Sequence, residues 1–167
     1  TRQGETQPAA RGLPRLHTVS HSEWLALSER AVEPNGYYLP DWELAVDASA
    51  RDRSNVLALG ARTAQRGLVG LLPVISAWRA WKIPLPVLVS ADPYGDLSTP
   101  LIDGDAPEEA ARMLLKQARN SGAHAVVLRH AVPDGAELGE EGLRLGQRGH
   151  ARDFALLGRL RGQPGGA

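Results

Sequence analysis

Residues 56–75, VLALGARTAQRGLVGLLPVI, decide the fold. Val56 to Ala61 and Leu68 to Ile75 are two apolar runs of strand length. The connection Arg62 to Gly67 is short, polar and ends in glycine, as a hairpin loop does. Downstream, Ser76 to Pro86 carries Trp78, Trp81, Pro84 and Pro86 and reads as an irregular continuation of the strand with two exposed or half-buried tryptophans. Val87 to Ser90 is fully apolar, which predicts a central strand. The loop Ala91 to Pro100 follows, then a brief extended Leu101-Ile102. Asp105-Ala106-Pro107-Glu108 has the signature of a helix start with Asp105 as N-cap. That helix would bury Ala110, Met113, Leu114 and Ala118 and stop at Gly122. Ala123 to Ala131 reads as a strand, Gly135 to Gly149 as a weaker helix diluted by Gly139, Gly142 and Gly146, and Phe154 to Leu160 as a last strand.

Upstream of the hairpin, Leu16 to Val19 alternates apolar and polar residues and predicts a short first strand. Ser20-His21-Ser22-Glu23 fits a capping box, with Val19 and Trp24 at the staple positions. The helix it opens would turn Trp24, Leu25, Leu27, Ser28, Ala31 and Val32 inward and end at Glu33-Pro34-Asn35-Gly36. A second helix is expected from Pro40, whose missing N–H costs nothing in a first turn, with Trp42, Ala45, Val46 and Ser49 as its inner stripe. The order β-α-α-β-β-β-α-β-α-β predicts α/β layering in a single domain over residues 14–161, behind a disordered leader (1–13) and ahead of a flexible tail (162–167).

Composition narrows the function. Lys+Arg and Asp+Glu each total 19, so the net charge is zero and no polyanionic partner such as nucleic acid is indicated. Cysteine is absent, which excludes disulfides, thiolate metal sites and cysteine nucleophiles. No apolar run approaches the roughly 18 residues of a membrane span, and no apolar signal core opens the chain, so a cytoplasmic protein is expected. Val, Ile, Leu and Phe supply 39 of 167 residues, enough to build a core.

The motifs that could carry chemistry are few. His124 and His130 share one face of a strand but lie about 20 Å apart at ~3.3 Å per residue, too far for one ion. His17 and His21 straddle a helix start, so no metal site is expected. No nucleophile elbow, phosphate loop or dinucleotide fingerprint is present. A hydrolase built on His130 with Asp92 or Asp96 would lack an activated nucleophile. Residues 92–99 are the chemically densest stretch, with Asp92, Tyr94, Asp96, Ser98 and Thr99 just past the C-terminal end of the most apolar strand, where α/β sheets tend to bind ligands; a turn built on Pro93 and Gly95 is the plainer alternative. The Tyr37-Tyr38 pair could line a pocket or seal the core. Trp78 and Trp81 suit an interface with another domain or chain.

Three segments carry a family resemblance. Residues 33–42, EPNGYYLPDW, are similar to the "EPNPFFxPxW" segment of CelD-type proteins, a branch of the GNAT acetyltransferases associated with cellulose biosynthesis. Leu68 to Pro73 resembles its "LxGLLPL" strand, and residues 94–103, YGDLSTPLID, resemble its "NxxxxGTPLLD" turn. The matches keep their order over about residues 14 to 132. The resemblance implies a GNAT-like mixed, mostly antiparallel central sheet flanked by helices, in the first of two such halves of an acyl-CoA-dependent N-acyltransferase. Such a fold holds the pyrophosphate of acetyl-CoA or another acyl-CoA on an Arg/Gln-x-x-Gly-x-Gly/Ala loop before the central helix. Here Ile102 to Glu108 offers one glycine, three acids and Pro107, so no cofactor-binding residue carries over. The expectation is a non-catalytic half. Tyr37, Tyr38, Tyr94, Asp96 and Thr99 would line the acceptor side, and Trp78 and Trp81 would meet a second half in the same polypeptide or another chain. The alternative from a different class is a non-enzymatic interaction module, homodimeric through its tryptophans.

Overall fold

A computed structural model describes residues 10–49, 56–91 and 98–129. Within them the chain is a mixed α+β structure with a five-stranded sheet. Strands β1 (Leu57–Thr63) and β2 (Gly67–Ser76) form the expected antiparallel hairpin, paired from Leu57 opposite Val74 to Thr63 opposite Gly67. Gly67 closes the loop with φ +69°, a left-handed conformation that glycine adopts without a Cβ clash. Strand β3 (Val87–Ser90) pairs antiparallel with β2 and parallel with β5 (Ala125–Val127), giving the order β1-β2-β3-β5. β3 is therefore internal, as its unbroken apolar run predicts. The two-residue β4 (Leu101–Ile102) pairs with β2 at Gly70 and Leu71.

Helices cover both faces of this sheet. α4 (Pro107–Asn120) packs on β1 and β2, burying Ala110, Ala111, Leu114 and Ala118, and its chain reverses at Gly122 with φ +90°. Met113 is only partly buried, at the edge of this contact. Gly70 sets the spacing: a Cβ built there would lie 3.1 Å from both Leu114 Cγ and Cδ1 and 3.3 Å from Ala61 Cβ. Gly70→Val is therefore expected to cost about 2–3 kcal/mol through overpacking, measurable as a lower urea midpoint. An unchanged midpoint would show that α4 can move off the sheet freely. α1 (His21–Arg30) lies across the opposite face, with Glu23 against Gly67 and with Trp24 and Leu27 fully buried. Both faces of β2 are covered, since Leu68 to Val74 are buried without alternation. α2 (Pro40–Ser49) starts at Pro40 as expected and follows a 3-10 turn, Gly36–Tyr38, whose Asn35 cap accepts the Tyr37 N–H. No helix among the described residues is long and apolar enough to cross a membrane.

Several local expectations are corrected. The expected first strand is a 3-10 turn, Leu16–Thr18, closed by the Thr18 hydroxyl and N–H on the Arg15 carbonyl; only an isolated bridge, Arg15 to Leu57, keeps strand character. Ser20 is the N-cap of α1 but does not form a capping box: its hydroxyl meets Ser22, and Glu23 instead pairs with Arg62, both carboxylate oxygens 2.7 Å from Nη1. Leu25 and Val32 are exposed, so the inner face of α1 narrows to Trp24 and Leu27. The inner stripe of α2 rotates likewise: Val46 is buried together with Glu43, while Trp42, Ala45 and Ser49 are exposed. The segment after β2 is a short helix, α3 (Ala77–Trp81), begun by the Ser76 hydroxyl accepting the Arg79 N–H and ended by Lys82 at φ +58°. At the start of α4 the N-cap is Ala106, not Asp105. Leu13 packs in the core and the Arg11 N–H bonds to the Ser121 carbonyl, so the folded part reaches into the expected leader. Within the strand expected over 123–131, β5 takes residues 125–127, and 130–131 lie outside the described residues. The expected helix at 135–149 and strand at 154–160 lie outside the described residues.

Candidate functional site

Two neighbouring junctions between distant segments hold the chemistry, the first made by backbone pairing and the second by the Asn35 side chain. The chain leaving α1 pairs with the chain leaving β4. The Val32 N–H bonds to the Ile102 carbonyl at 2.8 Å, the Gly104 N–H to Arg30 at 2.9 Å, and Ala31 bridges Asp103. A Cβ on Gly104 would sit 3.0 Å from the Arg30 carbonyl, so this crossing needs glycine. The register delivers Asp103 to the entrance of α4 with no solvent exposure.

Asp103 is satisfied on both oxygens. Oδ1 accepts the Asp105 N–H at 3.0 Å, and Oδ2 accepts Arg30 Nε at 3.1 Å, with Arg66 Nη1 at 3.9 Å. Arg30 also donates through Nη2 to the Leu68 carbonyl at 2.6 Å, which locks the guanidinium between hairpin and junction. Burial pushes the Asp103 carboxyl up, but the Asp105 amide and Arg30 hydrogen bonds, with the charges of Arg30 and Arg66, outweigh it and hold it below its ordinary value. A carboxylate kept ionised in this way cannot serve as a proton donor near neutrality. Beside it a hollow of about 320 Å³ is lined by Thr63, Gln65, Arg66, Ala106 and Glu109 among others. Its cation, Arg66, already faces Asp103 and lies 3.5 Å from Asp105.

The second junction joins Tyr37 and Tyr38 to Thr99. Buried Asn35 donates from Nδ2 to the Thr99 carbonyl at 2.9 Å while its Oδ1 holds the Tyr37 N–H at 3.0 Å. Tyr38 is fully buried, and its carbonyl accepts Trp24 Nε1 at 2.7 Å. Tyr37 is half-buried and meets Trp42 edge-on, ring centroids 6.3 Å apart. Of the five residues expected on an acceptor wall, the structure thus brings Tyr37, Tyr38 and Thr99 to one place. Tyr38 serves there as core, while Thr99 presents a buried Oγ1 without a hydrogen-bond partner among the described residues. Tyr94 and Asp96 lie outside the described residues, as do Asp92 and His130. Asn35, Arg30 and Arg66 were not singled out from the sequence. Asn35 had a local signal, since asparagine before a turn bonds the backbone two residues on; the arginines had none.

Sequence reasoning also missed a cleft of about 640 Å³ along the outer edge of β1, lined by Thr18, Gly60, Arg62, Met113, Lys116 and Asn120 among others. It follows from the lost first strand. The Ala58 N–H bonds outward to the Pro14 carbonyl, so by alternation Gly60 also points its backbone groups outward, past the point where the 3-10 turn leaves the strand. Trp78 and Trp81 are exposed, as expected of a contact surface. Exposed His21 bonds Asp41 at 3.0 Å, and among the described residues no three His, Asp or Glu side chains converge as metal ligands would. Comparison of the chain with family models, curated proteins and solved structures finds no match.

Proposed function

We propose that this chain is an acyltransferase-like half of the GNAT, CelD-like type that does not bind acyl-CoA itself and contributes the acceptor-side wall to a partner half. One observation carries the reading: the buried, ion-paired carboxylate of Asp103 lies at the entrance of α4, where a GNAT fold would place the cofactor pyrophosphate. A helix N-terminus attracts one anion well, because its free amides and dipole converge there. At the entrance of α4 a carboxylate is already in place, held by the Asp105 N–H and Arg30, with Asp105, Glu108 and Glu109 adding negative charge nearby, and Pro107 removes an amide from the first turn. The residues present do not fit a pyrophosphate. The strand and helix order through β5, the parallel β3–β5 pair and the meeting of Tyr37, Tyr38 and Thr99 support the rest of the reading.

Calorimetric titration with acetyl-CoA is expected to give no saturable heat up to about millimolar ligand, a free-energy ceiling near −4 kcal/mol. Binding at micromolar concentration would overturn the proposal. The sequence-based assignment of Trp78 and Trp81 to the partner half agrees with their exposure, but the charge around them favours a different occupant.

A further inference from the structure

The chain is neutral overall, yet the segments at one end of the sheet carry cations without acids. At one end, β2 finishes, β1, β3 and β5 begin and α4 finishes. Residues 10–19, 74–91 and 117–129, which contribute to that end, contain no Asp or Glu. They place exposed Lys82, Arg119, Arg11 and His124 there, the last held beside the β2–β3 connection by its N–H to the Pro86 carbonyl at 2.7 Å. Glu23, Asp103, Asp105, Glu108 and Glu109 lie at the other end, near the β1–β2 loop and the start of α4, where Arg30, Arg62, Arg66 and Arg112 pair with the first four.

The basic end also carries an apolar tip. Trp78, Trp81, Ile83 and Leu85 are each between 40 and 53 % exposed, the last three within one run of five exposed residues. The tip is stiff. The Lys82 N–H bonds back to the Trp78 carbonyl at 2.9 Å, and Pro84 and Pro86 fix φ in the extended run after it. Burying such a tip therefore costs little ordering entropy. Tryptophan beside lysine and aliphatic side chains suits the boundary between lipid headgroups and acyl chains.

We propose that the α3 tip, Trp78 to Leu85, docks on an anionic membrane surface, with Lys82 and the cations behind it facing the headgroups. A two-fold contact with a second copy would set Lys82 near its own image, a like-charge approach that disfavours self-association. Nucleic acid would use the cations and the indoles but leave Ile83 and Leu85 without a role. The proposal is independent of the acyltransferase reading.

The test is flotation of the full chain with vesicles of phosphatidylcholine alone or of equal parts phosphatidylcholine and phosphatidylglycerol, with tryptophan emission read in parallel. Co-flotation and a blue shift are expected only with the anionic vesicles, weakening as salt is raised. The double variant Trp81→Ala, Ile83→Ser should weaken binding about tenfold or more, and Lys82→Glu about fivefold or more, with far-ultraviolet circular dichroism showing each variant folded at the assay temperature. Absence of binding, or equal binding to neutral vesicles, would overturn the proposal. So would a dimer that Trp81→Ala converts to monomer, or tighter binding to single-stranded RNA than to the anionic vesicles.

Discussion

Trp24→Ala should remove about 4–5 kcal/mol of stability, at the upper end for loss of a fully buried aromatic side chain. Trp24 has no solvent exposure and is the largest side chain in the core. It does two separable things. Its ring fills the space between α1 and the sheet, and its Nε1 ties α1 to the 3-10 turn through the Tyr38 carbonyl at 2.7 Å. Truncation to alanine loses both, and the cavity beside a rigid sheet collapses only in part. Trp24→Phe keeps most of the volume and loses the hydrogen bond, so about 1–2 kcal/mol is expected. Since domains of this size hold only about 5–15 kcal/mol in total, the alanine variant should be largely unfolded at modest urea while the phenylalanine variant is not. Far-ultraviolet circular dichroism reads both without relying on the removed fluorophore. A cost below about 1 kcal/mol for alanine would mean that α1 is not docked as described, and equal costs for the two variants would assign the whole effect to the hydrogen bond.

The parts of this fold legible in the sequence are those whose cause is local. The β1–β2 hairpin is fixed by two apolar runs and Gly67, β3 by its unbroken apolar composition, and α4 by its stripe and Gly122. Where a distant group competes, the local pattern misleads. Glu23 had a good partner three residues back in Ser20, but Arg62, 39 residues away, offers a charge. Leu16 to Val19 alternates like a strand, yet Thr18 bonds the Arg15 carbonyl and turns the chain into a 3-10 coil. α2 was misjudged because a stripe drawn through apolar residues excludes Glu43, which the fold buries, and includes Trp42, which packs edge-on against Tyr37 at the surface.

The candidate site divides in the same way. The tyrosine pair and Thr99 could be named from local sequence, and Asn35 could have been, because its cap on Tyr37 spans two residues. The Arg30–Asp103 pair could not. Its members are 73 residues apart, and neither position is unusual in its own segment. The acids at residues 103–108 were legible as unfavourable to a pyrophosphate; that one of them would be wholly buried and neutralised was not. A surface charge run and an internal counter-ion look identical in one dimension, and only the pairing of residues 30–32 with 102–104 distinguishes them.

Asp103 therefore carries the second large effect. Asp103→Asn keeps the size and an acceptor for the Asp105 N–H but leaves Arg30 without its closest counter-charge. Removing one partner of a fully buried pair costs about 3–5 kcal/mol; Arg30 is a third exposed and can recover some hydration, so about 2–3 kcal/mol is expected at pH 7. The cost should depend on pH in one direction. The folded-state pKa of Asp103 lies below its ordinary 3.8, so the unfolded chain takes up the proton first as pH falls. The stabilisation is complete above the unfolded value and is lost as pH drops through the folded one. In urea unfolding at pH 7 and again near pH 2–3, the gap between the parent and Asp103→Asn should narrow at the acid end, because there the unfolded parent gains a proton at Asp103 that the folded carboxylate resists, a gain the asparagine variant lacks. A gap that stays constant with pH would show that shape rather than charge holds the junction. Asp103→Ala, which also strands the Asp105 amide, should lie about 1 kcal/mol below Asp103→Asn at either pH, and that offset separates the hydrogen bond from the ion pair.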